Sequence, residues 1–127
     1  MRHPSLLILP ALVLLSSIWL EAEQPGQAFT VHGRLSHANG NARCVIWIVG
    51  TNRRLAVLQS SDEVPEMPEG LWWLLSSEDK YRDIYANFVV EPATPYKKGV
   101  RQWVRIISVS DLVVMEKDKI ILQKKTL

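Results

Sequence analysis

The basic–aromatic alternation in "KKGVRQWVRI", residues 97–106, carries the sharpest chemical signal in the chain. Successive side chains of an extended strand alternate between its faces. Arg101, Trp103, Arg105 and Ile107 therefore share one face, and Val100, Gln102, Val104 and Ile106 share the other. Guanidiniums on either side of an indole, with Lys97 and Lys98 in the adjoining loop, suit an anionic ligand. The cations attract phosphate or carboxylate, and the ring offers a stacking platform. Lys97, Lys98, Arg101, Trp103 and Arg105 are accordingly the candidate ligand-binding residues. Arg34, Arg53 and Arg54 are further bases that the sequence alone does not locate relative to them. The competing reading puts Trp103 in the core, with arginine stems covering its edge.

Other chemistries find weaker support. His32, His37 and Cys44 are residue types that bind zinc or copper. The strand pattern sends His32 outward and Cys44 inward, so the three diverge and no metal ligand is assigned. No Gly-x-Ser-x-Gly elbow or His-Glu-x-x-His helix is present. Glu66 and Glu69 could pair for glycoside chemistry, but they read as solvated acids in a proline-containing loop. The chain reads as a non-enzyme without a cofactor. Gly33, Asn39-Gly40 and Gly50 fit a strand curl, a turn and a strand end, and none opens a phosphate-binding loop.

Those residues need a scaffold, and the pattern describes one. Phe29, Val31, Gly33 and Leu35 alternate with Thr30, His32, Arg34 and Ser36, which marks a half-buried first strand. "ARCVIWIVG" is apolar on both faces, as in a central strand, and "RRLAVLQ" supplies a third. After a loop stiffened by Pro65 and Pro68, Leu71, Leu74 and Leu75 fall at helical spacing. Ser76 with Asp79 resembles a capping box. "IYANFVVEP" and "VRQWVRIISVS" are strands four and five, "DLVVMEK" continues or bends the fifth, and "DKIILQKKTL" adds a weak last strand. The lone Cys44, among apolar neighbours, reads as a buried thiol and forms no intramolecular disulfide.

The N-terminal residues predict export. Arg2 and His3 precede an uncharged run of 15 residues from Leu6 to Leu20, followed by a polar, small-residue segment. This is the layout of a secretory signal peptide. A helix of that length reaches only about 22 Å against a bilayer core of about 30 Å, so no stable membrane span is expected after cleavage. Residues 1–22 are read as the signal peptide, 23–28 as a linker, 29–122 as a single β domain and 123–127 as a tail. The expected location is periplasmic or secreted.

The strand order, with a helical segment between strands three and four, resembles the OB fold, a five-stranded Greek-key barrel. The expected fold is all-β: a small five- to six-stranded OB-like barrel, with an immunoglobulin-like or transthyretin-like sandwich as the alternative. A second resemblance rests on "HGRL", "NGNARCVIWIVGTNRRLAV" and "YANFVVEPATPYKKGVRQWVRI". These are similar to a group of short exported bacterial proteins with a Gly-Arg-Leu, Asn-Gly, Trp, Gly-Thr-x-Arg succession. That resemblance implies an exported β domain and transfers no catalytic or binding residues.

Net charge is only +2, but it is unevenly spread. Acids dominate from Asp62 to Glu91, and bases from Lys97 onward. Such asymmetry suits an anionic partner. The functional expectation is a non-catalytic binding module for a polysaccharide, a nucleic acid or an acidic protein. The alternative is a structural protein of the cell envelope, contacting another envelope protein through Trp72, Trp73 and the acidic loop.

Overall fold

The computed structural model describes residues 24–76 and 82–127. The signal peptide expected over residues 1–22 lies outside the described residues, as does Asp79 of the expected capping pair. The elements are β1 (Phe29–His37), β2 (Cys44–Ile48), β3 (Arg54–Val57), α1 (Glu69–Ser76), β4 (Arg82–Pro92), β5 (Gln102–Glu116) and β6 (Lys119–Thr126). Among them no helix is long and apolar enough to cross a membrane.

β1, β2 and β3 form an antiparallel meander, with Arg34 opposite Trp47 and Trp47 opposite Arg54. The first turn contains Gly40 at φ 105°, a backbone conformation open to glycine because it has no Cβ. β4 pairs antiparallel with the other edge of β1, and β5 with β4. The start of β5 then runs parallel to β3, pairing Leu55 with Gln102 and Val57 with Val104. This closes a ring of five strands, and β6 adds to the far half of β5. The molecule is an OB-like barrel: among the described residues there is one curled sheet, with no second sheet facing it, and one short helix between β3 and β4. Closure leaves neither β3 nor the start of β5 as a free edge open to aggregation.

The barrel interior follows from the alternation. Leu35, Ile46, Leu55, Val57, Ile84, Phe88, Val90, Val104 and Leu112 point inward and are buried. α1 follows Pro68 and closes the barrel with Leu71 and Leu75, one helical turn apart and both fully buried. Burial of each leucine contributes about 1.5–3 kcal/mol. The two tryptophans of α1 separate. Trp72 is half-buried against the core, with His37 and Arg43 beside its ring, whereas Trp73 is 63% exposed. The "WW" pair thus belongs to a helix, whose 100° step parts neighbours less fully than a strand would. His37 is the last residue of β1; its Nε2 lies 3.1 Å from the Leu75 carbonyl near the end of α1.

Cys44 is in the core and unpaired. Burial raises its thiol pKa to about 12, with Arg43 opposing the shift. A thiol so placed stays protonated at neutral pH and acts as a small apolar side chain.

Candidate functional site

Strand register builds the site. On the outer face, one row across the sheet runs Tyr85, Arg34, Trp47, Arg54, from β4 through β1 and β2 to β3. Arg101 precedes Gln102, the partner of Leu55, and so enters beside Arg54. The next row runs Ser36, Val45, Ala56, Trp103. The first row is cationic and aromatic; the second is mostly apolar.

Two cavities open on this surface. One, of about 370 Å³, is lined by Arg53, Arg54, Tyr96, Lys97 and Arg101, with the β2–β3 turn as its wall. The other, of about 300 Å³, is lined by Arg34, Ser36, Trp47, Arg54 and Arg101, with the β1–β2 turn at its end. Arg54 and Arg101 line both, so the two cavities adjoin at these side chains and together form a groove along this face. Five cationic side chains line it, and no described carboxylate does.

Several of these groups are held in place. The Arg34 guanidinium lies 5.0 Å from the centre of the Trp47 ring, and that of Arg53 lies 4.2 Å from the centre of the Tyr96 ring. Trp47 Nε1 donates to the Thr51 carbonyl at 2.7 Å, and the Arg53 amide donates to Thr51 Oγ1 at 3.0 Å, so the β2–β3 turn is braced from both sides. Arg53 Nη2 donates to Gln102 Oε1, while Gln102 Nε2 donates to the Thr94 carbonyl at 3.1 Å. Gln102, inward-facing and buried, thereby ties β5 to the β4–β5 loop and to an arginine of the groove. Arg34 Nε is buried and makes no hydrogen bond among the described residues, so the ring contact carries its orientation.

Lys97 and Arg101 line the groove. Lys98, in the same loop, is exposed and lines neither cavity. Trp103 is on the outer face, but it is half-buried over Ala42, Val45 and Ala56, a small apolar cluster outside the barrel. Arg105 shares that face, yet its Nη1 donates to Glu91 Oε1 at 2.9 Å and its Nε is 3.8 Å from Glu66 Oε1. Two carboxylates offset its charge where a ligand would need it. Arg34, Arg53, Arg54, Trp47 and Tyr96 complete the groove in their stead. One signal for them was present in the sequence: Arg34 and Trp47 are equally distant from the Gly40-Asn41 turn, so a simple hairpin places them side by side.

His32, His37 and Cys44 go separate ways. His32 Nδ1 lies 3.0 Å from Asn87 Oδ1 on the surface, His37 faces α1, and Cys44 is interior. No cluster of three or more His, Cys, Asp or Glu among the described residues could hold a metal ion.

No protein-family model, curated protein or solved structure matches the chain.

Proposed function

We propose that the protein is an exported, non-catalytic binding module whose groove holds an anionic ligand. The observation that carries this reading is the lining: Arg34, Arg53, Arg54, Lys97 and Arg101, with no described carboxylate among them. Like charges lining one groove repel one another, and an anion bound among them relieves that repulsion. A unit charge at about 4 Å gains roughly 4 kcal/mol of gross Coulomb energy at a dielectric near 20, before desolvation. Export rests on the three-part leader at residues 1–22.

Binding dominated by charge falls steeply with salt. Five contacts to a flexible polyanion give a log–log slope of roughly −3.5, or about a hundredfold loss between roughly 50 and 200 mM salt. The test is titration of a labelled single-stranded oligonucleotide and of a polyuronate at several salt concentrations, with the full chain and with the Arg54→Glu/Arg101→Glu variant. Steep salt dependence, and loss of binding in the variant with unchanged far-UV circular dichroism, support the proposal. Binding indifferent to salt or to charge reversal refutes it.

A second reading draws on Trp73, whose indole is exposed on α1. As an envelope structural protein, the chain would contact a partner through that ring. Capture of one defined envelope protein that is lost in Trp73→Ser, and unaffected by salt, would favour it.

A further inference from the structure

We infer that the ligand is a linear, base-free polyanion that spans both cavities and is gripped by its repeating oxyanions without ring stacking. The inference rests on the anion-binding reading above and narrows it to a ligand class.

The first argument concerns the rings. Trp47 and Tyr96 supply the large rings lining the groove, and each already carries a guanidinium over one ring face, Arg34 at 5.0 Å and Arg53 at 4.2 Å; the His37 imidazole at the β1–β2 end lies against Trp72 and the Leu75 carbonyl. A base or sugar stacking on the covered face would have to displace a cation–π contact. Trp103, the remaining tryptophan of the face, is committed to covering Ala42, Val45 and Ala56. Single-strand readers that stack bases depend on open aromatic platforms. Here the rings serve a different purpose. An arginine laid flat on a ring loses little further freedom on binding; the guanidinium of Arg34 is thereby held for a tetrahedral or planar oxyanion, while Arg53 is fixed both by Tyr96 and by its bond to Gln102.

The second argument concerns length. Arg34 on β1 and Arg54 on β3 stand two strand spacings apart, about 10 Å, and Arg101 stands about 5 Å further along the same line. Arg54 and Arg101 face both cavities, Arg34 serves one end, and Arg53 with Lys97 serves the other. A lone phosphate or carboxylate engages one or two of these cations. A chain with an anion at every few ångströms engages all of them at once, and each additional contact is then intramolecular.

The experiment compares four probes on the full chain at low salt: orthophosphate, inorganic polyphosphate, oligothymidylate, and an abasic oligonucleotide of the same length. Polyphosphate should bind at least a hundredfold tighter than orthophosphate. The abasic and base-carrying strands should bind within about threefold of each other. Arg34→Ala and Arg53→Ala, at opposite ends, should each weaken polyphosphate several-fold while changing orthophosphate little. Tenfold or greater preference for the base-carrying strand over the abasic one overturns the inference and leaves the anion-binding reading standing. Orthophosphate binding as tightly as polyphosphate also overturns it. Failure of all four probes overturns both.

Discussion

Replacing Gly33 with alanine drives a methyl carbon into the tightest point between β1 and β2. A Cβ there would lie 2.5 Å from Ile46 Cγ2 and 2.9 Å from the Trp47 carbonyl oxygen. The first contact can be relieved only by moving a buried side chain of the core, since Ile46 has no exposed surface. The second is with backbone in the strand pair, so relief means separating β1 from β2 next to the Arg34–Trp47 step. Overpacking of this kind costs about 1–3 kcal/mol, and a clash with main chain belongs at or above the upper end. For a domain of this size, 3 kcal/mol corresponds to a fall in melting temperature of roughly 12–24 °C. Gly70→Ala provides the contrast. Its nearest neighbour would be Leu127 Cδ2 at 2.9 Å, the far end of a flexible side chain at the C-terminus. In α1 alanine is also favoured over glycine by up to about 1 kcal/mol. Thermal and urea unfolding, followed by far-UV circular dichroism, should show Gly33→Ala strongly destabilised and Gly70→Ala neutral or slightly stabilised. A Gly33→Ala protein within 0.5 kcal/mol of the parent, roughly the scatter of ordinary surface changes, would refute the reasoning and imply that the hairpin separates freely there.

The remaining predictions concern the groove and the thiol. Lys97→Gln should weaken polyanion binding several-fold and Lys98→Gln leave it within about twofold, because only Lys97 lines a cavity; salt-matched titration decides. Arg105→Ala should also leave binding nearly unchanged, since Glu91 and Glu66 already offset its charge, and its half-exposed ion pairs limit the stability cost to about 1 kcal/mol. The Cys44 pKa is raised in the fold from 9.0 to about 12, so its contribution is fully present below pH 9 and is lost as pH rises toward 12. Over that interval the parent should lose stability relative to Cys44→Ala by up to about 1.4 kcal/mol per pH unit. Equal pH slopes for the two proteins, measured by urea unfolding at pH 8 and pH 10, would contradict the burial of the thiol.

Much of the scaffold is legible because its signals are local. Period-two alternation places Leu35 inside and Arg34 outside, and puts Gln102 and Trp103 on opposite faces of β5; the structure turns Gln102 inward and Trp103 outward. Leucine spacing locates α1, and Asn39-Gly40 locates the first turn. The candidate site was legible in part. Lys97 and Arg101 stand out as bases near a ring, but the ring beside them in the sequence is not a ring of the groove. Trp103 turns outward and finds Val45 and Ala56 waiting on the neighbouring strands, so its indole becomes packing.

What the amino-acid sequence determined by itself is which stretches are extended and which side chains of a strand share a face, since both follow from the alternation of neighbours along one chain. What only the tertiary structure decided is company. The parallel closure of β3 onto β5 sets Arg54 beside Arg101, the loop before α1 and strand β4 bring Glu66 and Glu91 to Arg105, and the β4–β5 loop lays Tyr96 against Arg53. Side-chain direction repeats every two residues and is written locally. The partner across a barrel is selected by how the whole apolar surface closes, and no short stretch of the chain contains that.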